Sequence, residues 1–225
     1  MKDLLLYLFY QLIVRPWLTL IIGVRFSNRQ VFDNVRQFIV VANHNSHFDM
    51  VSIMAALPWR KLKNTRGVAA ADYFGKTSFS ARLMNFFFHA ILIERHRKEG
   101  APSAIEILDG HLKAGKSLVL FPEGTRGQAG VIADFKKGVA ILLRDNPGIP
   151  FIPVYLDGFG RVLPKDKWLI IPLVCKVRFG EPVYPAGQDV DEILEKVRDA
   201  IFKLKDKDER DRNVFDYKYY LCRHH

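Results

Sequence analysis

At 225 residues the chain is long enough to bury one substantial core, and with 49% apolar and 26% charged residues it is globular rather than disordered. Its 34 lysines and arginines outnumber 24 carboxylates, and the net charge of +10 favours an anionic partner: nucleic acid, an anionic membrane surface or a phosphorylated ligand. No zinc-finger, homeodomain or RNP-type signature accompanies the charge, which excludes the familiar nucleic-acid modules, and two cysteines, Cys175 and Cys222, are too few for a disulfide framework.

The first element, Leu4 to Val24, is almost wholly apolar but is interrupted by Arg15-Pro16. Proline disrupts a helix interior, and an arginine at mid-bilayer costs on the order of 2.5–3.5 kcal/mol. Neither half, Leu4–Val14 or Trp17–Val24, reaches the roughly 20 residues that span the hydrocarbon. The expectation for residues 1–28 is therefore two short helices lying in the membrane interface, with Tyr7, Tyr10, Arg15 and Trp17 at headgroup depth. A hairpin packed on the protein core is the alternative. Asp3 and the lack of a small-x-small cleavage site argue against a signal peptide.

Residues 29–225 read as one domain of alternating elements. Strand-like Phe38–Ala42 precedes a helix at Met50–Leu57, a short strand at Val68–Ala71, a helix at Tyr73–Phe87 and a strand at Ile91–Ile93. Helix Pro102–Leu112 closes at Gly115, followed by strand Ser117–Phe121, helix Lys136–Arg144 and strand Phe151–Tyr155. Strands at Trp168–Ile171 and Cys175–Arg178 and a helix at Val190–Leu204 complete the pattern. Such alternation predicts a three-layer α/β domain with a mostly parallel sheet flanked by helices. In such sheets ligands collect at the carboxyl ends of strands.

Two strand ends carry the chemistry. In Asn43-His44-Asn45-Ser46-His47-Phe48-Asp49 a histidine in a strand-to-helix turn precedes, by five residues, an aspartate in the first helical turn. That carboxylate can orient one imidazole nitrogen and leave the other to take a proton. In Phe121-Pro122-Glu123-Gly124-Thr125-Arg126 an arginine suited to bidentate phosphate binding stands near a carboxylate. Glu123 either holds that arginine or accepts from a ligand hydroxyl, and Gly124 and Thr125 allow close backbone approach. Lys136 and Lys137 open a helix, where free N–H groups favour an anion, or are ordinary surface lysines. A base beside a phosphate clamp suggests transfer to the hydroxyl of a phosphate-bearing acceptor. Two other readings of the first loop stand beside this one: a capping box, Ser46-x-x-Asp49, and metal ligation by His44, His47 and Asp49, for which no further ligand is evident.

Both loops resemble, nearly residue for residue, signatures of the lysophospholipid and glycerolipid acyltransferase family, and the chain looks like its 1-acylglycerol-3-phosphate O-acyltransferase (PlsC-like) branch. The family's His-x-x-x-x-Asp falls on His44 and Asp49, and its Phe-Pro-Glu-Gly-Thr-Arg on Phe121–Arg126, with Phe135-Lys136-Lys137-Gly138 downstream. Its second block, Gly-x-x-x-Ile-Asp/Glu-Arg, resembles the stretch ending Ile93-Glu94-Arg95, with His89 at the glycine position, and its proline-bearing fourth block resembles Phe151-Ile152-Pro153-Val154. The resemblance implies that His44 is the general base, Asp49 its partner, and Arg95 a ligand for the acceptor phosphate. It also implies a peripheral enzyme on the cytoplasmic face of a membrane. That enzyme would move an acyl group from acyl-CoA or acyl-carrier protein to a lysophospholipid, most simply 1-acyl-glycerol-3-phosphate, with no metal and no cofactor beyond the donor. Another lyso-lipid acceptor, such as lyso-ornithine lipid, is the nearest rival, and a metal-dependent hydrolase and a non-catalytic module binding anionic membranes are the rival classes. Met84, Phe86, Phe87 and Phe88 form an apolar cluster that either packs the core or lines an acyl tunnel, and Arg60, Lys61, Lys63, Arg66, Arg97 and Lys98 form a basic group suited to anionic lipid.

Overall fold

The computed structural model describes residues 2–46, 48–71, 87, 89–94, 100–125, 127, 131–159, 175–185, 187 and 189–223, and their side chains except those of Lys2 and residues 209–223. The expected strand Trp168–Ile171 and nearly all of the expected helix Tyr73–Phe87 lie outside the described residues, as do Met84, Phe86, Phe88, Arg97 and Lys98.

Seven strands form one sheet: β1 (Val24–Ser27), β2 (Ile39–Ala42), β3 (Thr65–Ala70), β4 (Ile91–Ile93), β5 (Ser117–Leu120), β6 (Phe151–Asp157) and β7 (Cys175–Phe179). Their order is β1-β7-β6-β2-β5-β3-β4, and every pairing is parallel except β6 with β7. β2, β5 and β6 are buried along their whole length, as parallel strands covered on both faces must be. Side-chain alternation divides the core. Val40, Ala42, Ile152 and Val154 face one apolar layer, which includes the amino-terminal helix and α2 (Phe48–Ala56). Ile39, Val41, Phe151 and Tyr155 face the other, built with α4 (Ala104–Lys113), α5 (Gly138–Asp145) and α6 (Val190–Arg223). The three-layer expectation holds.

Local chemistry explains the element ends. Ser103 caps α4 through a reciprocal box, its hydroxyl accepting from the Glu106 N–H while the Glu106 carboxylate accepts from the Ser103 N–H. Pro153 has no N–H to give and sits where the ladder to β7 begins, and its carbonyl accepts from the Gly180 N–H at 2.8 Å. At the position where the family's second block has glycine, His89 adopts φ +46°, a left-handed conformation that histidine tolerates better than most residues. Its ring is held between the Arg66 guanidinium (3.2 Å) and Asp3 (3.7 Å).

The amino terminus departs from expectation. Residues 2–22 form one continuous helical rod, α1, in which Pro16 lies within a short α-helical piece between two π-helical turns, Tyr10–Val14 and Leu18–Ile22. The reason lies in the spacing of the buried side chains. Leu6, Tyr10, Leu18 and Ile22 are at most 1% exposed and recur in multiples of four. In a regular α-helix each four-residue step drifts about 40° around the axis, and the wider π turns take up this drift, keeping all four on the core face. The stretch Asp3–Ile22 is, by length and composition, long enough to cross a membrane. Yet it lies along the domain, with Tyr7 packed edge-on to Trp59 of α3 (Trp59–Leu62) and Trp17 against Phe48. Tyr10, expected at headgroup depth, is instead a core residue donating to the Phe87 carbonyl. Arg15 and Trp17 are half-buried, and the outward face is aliphatic: Leu4, Leu5, Leu8, Leu12, Ile13, Leu20 and Ile21 are all exposed. Residues 24–27, read from sequence as part of the anchor, join the sheet as β1.

Gly180 reports on how tightly the proline strand is packed. A Cβ there would stand 2.6 Å from Pro153 Cγ and 3.3 Å from Leu204 Cδ1. Gly180→Ala is expected to destabilise the fold by about 1–3 kcal/mol, read as a lowered urea midpoint with unchanged slope.

Candidate active site

The two motif loops emerge from the carboxyl ends of the adjacent parallel strands β2 and β5. The first begins with Asn43, whose side-chain amide continues β2 beyond its last residue: Nδ2 donates to the Leu156 carbonyl at 2.9 Å and Oδ1 accepts from the Leu156 N–H at 2.8 Å. His44 follows, then the turn into α2.

Asp49 is fully buried, and its Oδ2 is the hub of the turn. It lies 3.0 Å from His44 Nδ1 and accepts from the backbone N–H groups of Asn45 at 2.6 Å and Ser46 at 2.8 Å. Two backbone donors already directed at this oxygen identify it as the acceptor, so Nδ1 carries the proton and Nε2 the lone pair. Capping and imidazole orientation, which the sequence presents as rival roles for Asp49, are performed by one oxygen. The His44 side chain is 21% exposed, whereas Asp49 is sealed. The imidazole stacks on Phe121 with centroids 4.1 Å apart and planes 18° from parallel.

The second loop turns at Phe121–Gly124, closed by the Gly124 N–H donating to the Phe121 carbonyl at 3.0 Å. Proline at the second turn position and glycine at the fourth suit this geometry. Gly124 has φ +72°, a left-handed conformation that strains any larger residue, and a Cβ there would stand 2.9 Å from Nζ of Lys136, whose flexible end would have to move aside.

Glu123 departs from expectation. It is 4% exposed, and both carboxylate oxygens are engaged by backbone: Oε1 accepts from the His44 N–H at 2.8 Å and Oε2 from the Ala133 N–H at 3.0 Å. The His44 carbonyl in turn accepts from the Gly127 N–H at 2.9 Å. Burial pushes the Glu123 carboxyl above its ordinary value, against the downward pull of those two donors. Glu123, expected to hold Arg126 or to accept from a ligand hydroxyl, joins the two loops through these backbone contacts. Gly127 and Ala133 were passed over because backbone donors leave no mark in side-chain chemistry.

The other predicted groups separate. Lys136 passes over Gly124 and donates its backbone N–H to the Pro122 carbonyl, so it belongs to the second loop. Lys137 instead pairs with Asp191 in the first turn of α6 at 2.7 Å, which raises its pKa and commits it to holding that helix. Thr125 is exposed at the loop tip. Arg95, Arg126 and His47 lie outside the described residues. Among the described residues no three His, Cys, Asp or Glu side chains cluster as metal ligands do.

Comparison with known proteins bears on this arrangement. Over 178 residues the chain is 29% identical to 1-acyl-sn-glycerol-3-phosphate acyltransferase alpha of Mus musculus, covering 77% of this chain and 60% of the mouse protein. It is 29% identical over 168 residues to the beta enzyme of Homo sapiens, covering 73% of this chain and 58% of that protein. The chain thus spans about three fifths of the length of the curated relatives it matches. The crystal structure of the 1-acyl-sn-glycerophosphate (LPA) acyltransferase PlsC from Thermotoga maritima superposes with a TM-score of 0.68 at 20% identity, covering 92% of this chain and 98% of that one, and so shares its fold. The family model described as Acyltransferase matches residues 23–157, the span holding both motif loops, and the chain belongs to that family.

Proposed function

We propose that the protein transfers a fatty acyl group to the free hydroxyl of a lysophospholipid, with 1-acyl-glycerol-3-phosphate as acceptor and an acyl thioester, acyl-CoA or acyl-carrier protein, as donor, and with no cofactor beyond that donor. The observation that carries the reading is the His44–Asp49 pair at 3.0 Å, held at the carboxyl ends of the central strands in a chain of this family. His44 Nε2 removes the acceptor hydroxyl proton as that oxygen attacks the thioester carbonyl. Asp49 stabilises the imidazolium, and collapse of the tetrahedral intermediate expels the thiolate, which recovers the proton from His44. No protein nucleophile is required, because the acceptor alcohol attacks directly. Glu123 acts as a positioning residue, fixing the His44 backbone.

Arg126, on the second loop, Arg95, at the end of the second block, and Lys136 are assigned to the acceptor phosphate. Thr125 and Gly124 contribute backbone at the loop tip. This assignment rests on guanidinium chemistry and on the resemblance.

The aliphatic face of α1 supports work at a membrane surface. Seven large apolar side chains are exposed along one rod, more than a soluble monomer ordinarily presents. The net charge of +10 favours an anionic lipid surface. Within the rod Trp17 packs on Phe48, one residue before Asp49, which ties α1 to the helix that carries Asp49. We place the protein on one leaflet, at the cytoplasmic face, rather than across the bilayer.

Three outcomes are expected. His44→Ala should lower transfer of labelled palmitate from palmitoyl-CoA to lysophosphatidate by about 10²–10⁴-fold, with circular dichroism and melting unchanged and activity indifferent to EDTA. Label appearing only in a different lyso-lipid would retain the chemistry and replace the acceptor. Because Glu123 is held above its ordinary pKa of 4.5, its contribution to stability is full below that pH and is lost as pH rises through the raised value. Melting curves across that window should therefore decline more steeply for the wild type than for Glu123→Gln, while the variant, with one amide N–H facing a backbone N–H, loses activity. Finally, Leu12→Asp with Leu20→Asp, at side chains that are 69% and 79% exposed, should leave the fold intact and abolish sedimentation with phosphatidylglycerol vesicles; undiminished sedimentation would remove α1 from the membrane contact.

A further inference from the structure

We propose that Ser52 is a positioning residue for the His44–Asp49 pair, its hydroxyl donating to the second oxygen of the Asp49 carboxylate. Only the kinetic part of the test rests on the acyl-transfer reading.

The Asp49 carboxylate is unevenly satisfied. Oδ2 takes the His44 ring and two backbone N–H groups, whereas Oδ1, equally buried, has no hydrogen-bond partner among the described residues. A buried carboxylate oxygen without a donor is costly, and such atoms are rare in folded proteins. Ser52 lies three residues further along the same helix, is 0% exposed, and its Oγ also lacks a partner among the described residues. It does not use the usual recourse of a helical serine, the carbonyl four residues back, which here belongs to Phe48.

Geometry links the two. Residues three apart share a helix face, with Cβ atoms about 5–6 Å from each other. Every Cα–Cβ bond in a helix tilts toward the amino terminus, so the Ser52 hydroxyl leans over the turn that carries Asp49. An ionised carboxylate only accepts and a hydroxyl can donate. At this separation they meet through a turn about χ1 or across one buried water. The neighbours Met50, Ile53, Met54, Ala55 and Ala56 are all apolar and buried. A hydroxyl among them costs free energy unless it is paired, and Asp49 Oδ1 is the acceptor adjacent on its own helix face. A donor on Oδ1 spreads the carboxylate charge over both oxygens and keeps Oδ2 aimed at Nδ1 as the imidazolium forms.

The test uses the full chain in detergent micelles. Proton NMR follows the far-downfield His44 Nδ1–H resonance, identified by its loss in His44→Ala, and steady-state transfer is measured in parallel. Ser52→Ala is expected to move that resonance further downfield, because Asp49 becomes the stronger acceptor. It should also lower kcat by about tenfold, as loss of a hydrogen bond to a charged group does, with KM for both substrates within twofold of wild type. Ser52→Cys, which keeps the volume and a weak donor, should fall between the two and stands in if the alanine variant does not fold. A resonance that stays in place in Ser52→Ala, with kcat within twofold of wild type, would overturn the proposal. If the wild type transfers acyl groups to no acceptor, the functional reading fails, while the resonance still decides the role of Ser52.

Discussion

A histidine at the end of one strand can act as a base only if its backbone is stationary, and here that constraint is met from the neighbouring strand. The Glu123 carboxylate accepts the His44 N–H, the Gly127 N–H reaches the His44 carbonyl, and Asp49 holds the ring. Three anchors on one residue remove the translation and rotation that a loop would otherwise retain, and pre-paid order of this kind is a large part of what an active site supplies. The brace requires a carboxylate out of water, and that burial raises the Glu123 pKa. Two backbone donors offset much of it.

The sheet supplies the platform for this brace. β2 lies between β5 and β6, so the loop after it is bordered by both neighbours. The β5 loop contributes Glu123, and β6 contributes the Leu156 peptide that grips Asn43. β6 in turn is locked to β7 by the Pro153–Gly180 contact. The amino-terminal rod is tied to the same frame, since α1 runs through Gly23, in a left-handed conformation with φ +82°, directly into β1.

Much of this was legible in the chain. Continuous apolar runs such as Ile39–Ala42 and Ser117–Leu120 identify buried parallel strands, and the motif residues at their ends mark where chemistry collects. The roles of individual side chains were less so. Glu123 beside an arginine reads as a ligand or an ion-pair partner, because the backbone N–H groups of His44 and Ala133 that engage it carry no chemical signature. Tyr10 and Trp17 read as interfacial aromatics because amphipathic rings suit that depth equally well. Tertiary packing chose the core for Tyr10 and left the aliphatic residues outside. Pro16 read as a break because the rule for proline assumes a regular α-helix, and α1 is not one.

That irregularity makes α1 sensitive to length in a way composition does not reveal. Its buried face is kept in line by two turns that each accommodate an extra residue, so the rod has a phase as well as a polarity. Deleting one residue inside either π turn would let that turn revert to regular α-helix with the preceding face still in line, whereas deleting one from the regular stretch between Leu6 and Tyr10 would rotate everything before it by about 100°, swinging Leu6 out of the core and an exposed leucine in. In aligning this segment with a relative, a one-residue gap is therefore a neutral adjustment of length inside a π turn and a change of which face packs on the core anywhere else in the rod.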